Sequence, residues 1–212
     1  MNEQIKWKFR RIVADMAESM GRIGYIVHTA DTAEEAANLL WPLIPEGSTV
    51  GLGGSTTLAD MGVPDALRAG NWKLIDRYRT ASWEEQMARY REALDADVFV
   101  TGTNAITRAG QLVDMDSSGN RVAATIFGPR KVIVVAGANK VVENLDAAFA
   151  RIREIAPLNC RRLGHKTPCA ETGRCSDCMI PERMCNYIGV VNHGMKESGR
   201  FHIILVAESL GF

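Results

Sequence analysis

Four cysteines crowd one stretch of the chain in the pattern Cys169-x5-Cys175-x2-Cys178-x6-Cys185. A C-x2-C pair lets two thiolates of one tight turn reach the same ion, and the flanking cysteines are near enough in sequence to complete a four-sulfur site. Zinc and iron-sulfur clusters both accept four sulfurs. Zinc fingers usually set two such pairs about a dozen or more residues apart, whereas here one pair stands in a compressed set. A 4Fe-4S cluster is therefore the expected cofactor, with zinc as the alternative. Lys and Arg outnumber Asp and Glu between Cys160 and Arg200, which favours thiolates and offsets the negative charge of a ligated cluster. Four reduced cysteines without metal is the remaining reading, although thiols this dense in so polar a segment oxidise readily. The fifth cysteine, Cys160, precedes the set and reads as a bystander.

Three further segments carry candidate ligand-binding residues. In Val50-Gly-Leu-Gly-Gly-Ser-Thr-Thr a strand runs into a glycine turn and a helix that starts near Ser55. Gly53 and Gly54 permit close backbone approach, and the hydroxyls of Ser55 and Thr56 stand beside the free N–H groups of a helix start, so an anion fits there. The loop has neither the Walker lysine nor the dinucleotide fingerprint spacing, and a plain tight turn capped by Ser55 is the competing reading. Asn104 follows another strand and can point its amide into the crevice at the carboxyl edge of the sheet, where open α/β folds hold ligands. Asp114 and Asp116, two apart, share one strand face. As paired carboxylates they could hold a cation or act as acid and base, with loop capping as the alternative. Asn120 and Arg121 stand just beyond. Asn139 and Lys140 follow a third strand, where Lys140 either pairs with an anion or is solvent-exposed. The four histidines show no metal-ligand spacing; His165 could add a ligand, and a bystander role is its default.

The elements that must position these residues alternate along the chain. Residues 3–20 place Ile5, Phe9, Ile12, Val13, Met16 and Met20 at helical spacing with both charge signs opposite, so they form an amphipathic helix that packs on its own core. Strands are expected at 23–29, 49–52, 74–76, 98–101 and 131–136, and helices at 33–43, 58–69, 83–94 and 142–155. Such alternation implies an α/β fold: a mostly parallel open sheet with helices on both faces and right-handed crossovers. Residues 111–115 and 121–126 flank the turn-rich SSGN and are expected to form a β-hairpin insertion. Residues 159–199 hold no periodicity for long, and a loop of that length must be stapled or disordered. They read as a cysteine-rich metal-binding insertion before the final strand in FHIILVAESLGF, within a single domain spanning 1–212.

Composition closes off several functions. With 46% apolar residues in 212, the chain can bury roughly 70% of its unfolded surface in one sizeable core. Lys plus Arg equals Asp plus Glu at 25 each, so the basic field that non-specific nucleic-acid binding needs is missing. No run of about 18 apolar residues could span a bilayer. The charged start lacks the apolar run of a secretory signal, so a cytoplasmic location with reduced cysteines is expected.

Taken in order, GLGGSTTL, TGTNAITRAGQLVDMDSSGNR, GPRKVIVVAGANKVV and PCAETGRCSDCMIPERMC resemble the lactate-utilization (LUD) domain family, in its branch with a cysteine-rich carboxyl segment. The resemblance covers most of the chain. It implies the fold shared by ribose-5-phosphate isomerases, glucosamine-6-phosphate deaminases and coenzyme A transferases, whose glycine-rich loop after an early strand binds phosphate or a similar anion. Gly51, Gly53, Gly54, Ser55 and Thr56 match that loop. It further implies association with oxidation of L-lactate to pyruvate, a small anionic metabolite as ligand, and other subunits of an iron-sulfur oxidoreductase system or a second copy of the chain as partners. The acidic catalytic motif of the isomerases and deaminases is absent, and no transferase glutamate stands in a matching context. A non-catalytic ligand-sensing module with a structural zinc is the rival reading.

Overall fold

The computed structural model describes residues 2–212. In chain order the elements are α1 (Glu3–Arg22), β1 (Ile26–Ala30), α2 (Ala33–Leu40), β2 (Thr49–Leu52), α3 (Thr56–Asp60), α4 (Val63–Ala69), β3 (Lys73–Ile75), α5 (Trp83–Glu92) and β4 (Val98–Thr101). They continue with β5 (Ala105–Thr107), β6 (Leu112–Asp116), α6 (Asn120–Phe127), β7 (Lys131–Gly137), β8 (Val141–Val142), α7 (Leu145–Arg162), α8 (Pro168–Thr172), β9 (Tyr187–Val191) and β10 (Phe201–Val206).

The central sheet has six strands in the order β1-β10-β7-β4-β2-β3, and every neighbouring pair is parallel. Its middle strands are apolar on both faces because both faces are covered. On one face Val132, Val134, Ile203 and Leu205 meet Met16 and Met20 of α1; on the other Ile133, Val135, Ile204 and Val206 meet Leu40, Leu58 and Leu67 of α2, α3 and α4. Met16, Met20, Leu40 and Leu58 are almost wholly removed from water, each contributing about 1.5–3 kcal/mol.

Local signals start the helices where the sequence puts them. Thr32 accepts from the Glu35 amide while Glu35 reaches back to the Asp31 amide, and Ser82 and Glu85 repeat this reciprocal pairing at α5.

A second sheet, β8-β5-β6-β9, is mixed: β8 runs parallel to β5, and β6 is antiparallel to both β5 and β9. It lies between two apolar layers. Ile106 and Leu112 face α1 and the central sheet, whereas Ala105, Val113 and Met115 face Ala148 and Ile152 of α7.

Several expected boundaries move. The first helix runs on to Arg22 and the following strand begins at Ile26. The helix expected over 58–69 is two, because Pro64, with no N–H to donate, sits in the first turn of a new helix. The hairpin expected between 111–115 and 121–126 does not form: β6 pairs with β5 before it, and 121–126 lies inside α6. Gly119, at φ +74°, turns the chain into that helix, and the segment expected as a strand buries Arg121, Ala124 and Thr125 on one helical face. The helix expected over 142–155 runs from Leu145 through Pro157 to Arg162. Proline ordinarily marks a boundary, yet here Ala156, Pro157 and Cys160 are all buried, and packing outweighs the one lost backbone hydrogen bond. Residues 159–199 are accordingly not featureless: the end of α7, α8 and β9 all fall within them.

Candidate functional site

The carboxyl ends of β2, β3 and β4 open onto a cavity of about 330 Å³, closed on its other sides by α5, the start of α6, the inner face of α7 and the cysteine-rich loop. Arg77, just past β3, is one of the cations that line it. Its guanidinium lies over the Tyr90 ring at 4.4 Å and donates from Nη2 to the Tyr90 hydroxyl at 2.6 Å. The Asn120 amide, turned with its oxygen toward Arg77, accepts from Nη1 at 3.1 Å and from the Arg121 amide at 3.2 Å. Gln86 donates to the Arg77 carbonyl at 3.3 Å. Among the described residues no carboxylate forms an ion pair with Arg77, and its buried Nε has no hydrogen-bond partner. Gly54 borders the same guanidinium so closely that a Cβ there would stand 3.4 Å from Nη1. Burial pushes the Tyr90 hydroxyl up, against the pull of Arg77, so it stays protonated beside the arginine.

Beneath this surface lies a buried ionic network. Arg121 contacts Asp114 at 3.1 Å and Asp116 at 2.7 Å, and donates to Asn104 Oδ1 at 2.8 Å and the Met115 carbonyl at 3.0 Å. Asn104 completes the lattice: its backbone N–H donates to Asp114 and its side-chain Oδ1 accepts from the Met115 backbone N–H, both at 2.9 Å. Burial raises the Asp114 carboxyl above its ordinary value although Arg121 pulls it down. Burial also works against the Arg121 charge, but the two aspartates outweigh it. Arg121 is thus neutralised by its own partners, whereas Arg77 and Arg162, which line the same cavity, form no ion pair with a carboxylate among the described residues.

The cysteines gather at the far end. Cys160 on α7, Cys169 on α8, and Cys175, Cys178 and Cys185 on the loop all line one small space of about 20 Å³. Thr167 Oγ1 is 3.3 Å from Cys169 Sγ. Arg183 staples the loop, donating to the carbonyls of Cys178 and Cys185 at 2.6 and 2.9 Å and pairing with Asp177 at 2.7 Å. Burial, with Cys160 and Cys175 nearby, pushes the Cys185 thiol up to about 11. Among the described residues no three His, Cys, Asp or Glu side chains already converge as an ion site.

The structure brings Gly54, Asn104, Asp116 and Asn120 to the large cavity, together with His165. The other candidates lie off its wall with internal partners. Gly53 packs against β4, where a Cβ would fall 2.2 Å from Thr101 Oγ1. Ser55 caps α3 by accepting from the Leu58 amide at 3.3 Å, and Thr56 opens that helix. Asn139 Oδ1 accepts from the Leu210 amide at 3.2 Å. Lys140 is not the exposed side chain its loop setting implied: it is 5% exposed and donates to Thr57 Oγ1 at 2.9 Å. Burial, with Arg151 and Arg121 near, brings its amine down to about 8. Sequence reasoning passed over Arg77 and Tyr90. Arg77 was open to discovery, since it directly follows the short strand expected at 74–76 and so belongs to the edge where such sheets bind ligands.

A parallel central sheet covered by helices, with a cation-lined cavity at its carboxyl edge, defines an α/β fold. The chain belongs to the LUD domain family, whose family model matches residues 13–206. It is similar in structure to a DUF162 family protein from Deinococcus radiodurans, at a TM-score of 0.51 and 13% identity, covering 95% of this chain and 97% of that one. Weaker likenesses are to eIF2B beta from Chaetomium thermophilum (TM-score 0.38, 13% identity, 53% of this chain and 43% of that one) and to ribose 5 phosphate isomerase A from Neisseria gonorrhoeae (0.35, 20%, 53% and 52%). Among curated proteins none matches the sequence. Among the described residues no helix is long and apolar enough to cross a membrane.

Proposed function

We propose that this protein serves lactate or related hydroxy-acid redox metabolism, binding a small carboxylate in the cavity at Arg77 beside a metal centre held by Cys169, Cys175, Cys178 and Cys185. The observation that carries the reading is Arg77 itself: a guanidinium without a carboxylate partner, fixed by Tyr90 and Asn120, in a cavity that Cys160 and Cys185 also line. Family membership supports the metabolic setting.

The residues fit a metal by donor type. Five thiols surround one space, and Arg183 holds the loop that carries three of them. A cluster bound there supplies one-electron transfer. The protein's own contribution is positional. Arg77 binds the carboxylate through a planar fork, Tyr90 and Asn120 fix that fork, and the Arg121 network sets the floor beneath it. A single zinc ion is the second reading, favoured by the small size of the thiol-lined space, about 20 Å³.

Calorimetric titration of L-lactate, pyruvate and sulfate onto the wild type and Arg77→Ala tests the anion site. Loss of a charge-assisted bidentate contact should weaken binding at least about tenfold, since each 1.4 kcal/mol is a factor of ten. Equal affinity in the two proteins would remove Arg77 from the site.

A further inference from the structure

The large cavity and the thiol-lined space are neighbours with a common wall: Ala156, Cys160, Met184 and Cys185 border both. Two of these four residues are cysteines. Cys160 comes from α7, the helix whose inner face also supplies Ile152 and Ile155 to the large cavity. It is 2% exposed to bulk water, so what little access it has is through these two spaces. Cys185 reaches the same boundary from the loop side. From sequence Cys160 had no role, because it lies outside the compressed cysteine set. The run of α7 beyond Pro157 is what carries it there.

We infer that the anion cavity and the thiol site form one bipartite binding site joined at Cys160 and Cys185, so that a small carboxylate held by Arg77 lies against the metal-thiolate centre. This rests on the metal reading above and adds contact between the two halves to it. Cys160 is then a positioning residue, the pocket-facing thiol of the site, and not a bystander. Three features favour the contact. The cavity, at about 330 Å³, is of the size that small-molecule sites have, roughly 300–1,000 Å³. Arg77, Cys160 and Cys185 all line this one cavity, so a carboxylate held at Arg77 shares its space with the two thiols. Lastly, the same residues wall both spaces, Ala156 and Cys160 from α7 and Met184 and Cys185 from the loop.

The test uses the full chain, reduced and loaded with cobalt(II), whose visible absorption reports the shape of a thiolate site. Pyruvate should shift the cobalt bands of the wild type. Arg77→Ala should bind the same amount of cobalt with the same starting spectrum, yet need at least about tenfold more pyruvate for the shift. A wild-type spectrum that stays fixed while calorimetry shows pyruvate bound would overturn the contact. Alkylation of the metal-free reduced protein with iodoacetamide, mapped by mass spectrometry, separates this idea from the metal reading. Pyruvate should protect Cys160 and Cys185 but not the exposed Cys175. Absence of that protection overturns the junction even if metal binds. Protection without any cobalt uptake overturns the metal centre, and the metal contact with it, while leaving a carboxylate pocket walled by thiols.

Discussion

Replacing Arg121 by Met tests how far the site depends on charge buried beneath it. The guanidinium serves two carboxylates and two further acceptors, at 2.7–3.1 Å. Removing one partner from a buried ionic network costs about 3–5 kcal/mol, because the other charge is left without compensation. Here some donors remain: the Asn104 amide still reaches Asp114 at 2.9 Å and the Val122 amide still reaches Asp116 at 2.7 Å. The lower part of the range, about 3–4 kcal/mol, therefore applies. In a chain of this length 1 kcal/mol moves the melting temperature about 2–4 °C, so the variant should melt roughly 6–16 °C lower. Its pH dependence has a definite sign. Burial already lifts Asp114 above its ordinary 3.8, and Arg121 is the main influence pulling it back. Without Arg121 the folded-state value rises further. A raised carboxylate favours the folded state when protonated, and that benefit is lost as pH rises through the folded value. The deficit should thus shrink as pH falls from neutral, in melts followed by circular dichroism. A deficit below about 3 °C at neutral pH, or one that widens in acid, would refute the reasoning.

Gly53→Ala should destabilise by about 1–3 kcal/mol, the cost of overpacking, because the added methyl would overlap Thr101 at 2.2 Å; an unchanged urea midpoint would show that β4 yields freely. His28 and His202 stack with ring nitrogens 3.2 Å apart. Burial lowers both below 6.5, with Lys131 and His28 also acting on His202. Their contribution is therefore full above about pH 6.5 and lost as pH falls below it. The urea midpoint of the wild type should fall over that window, and His28→Asn should flatten the fall.

The fold was legible wherever burial follows a simple period. The Val and Ile alternation of β7 and β10 gave the parallel core, and the Ser82 and Glu85 pair marked the start of α5. The helix α6 was not legible, since 121–126 follows the turn-rich SSGN as a hairpin strand would, and its helical state follows from the turn at Gly119 and from Arg121 reaching Asp116. Likewise the last turns of α7 follow Pro157, a local stop signal overridden by tertiary packing. The cavity was half legible: Gly54, Asn104 and Asp116 stand at or just past strand ends that the sequence could place, and Asn120 follows the turn-rich SSG. Arg77 acquires its meaning only through Tyr90 and Asn120, which come from other elements. That Cys160 lines the same space as the other four cysteines was not legible, because spacing along the chain says nothing about a helix that returns its end to the loop.

Metal analysis with visible spectroscopy on protein purified without oxygen tests the central claim most directly. The account predicts iron and acid-labile sulfide in equal amounts, with a visible absorption that bleaches on reduction, and loss of both in Cys178→Ser. Wild-type protein carrying zinc alone would establish the second reading, and wild-type protein free of any metal, or a Cys178→Ser variant with undiminished metal, would contradict the centre altogether.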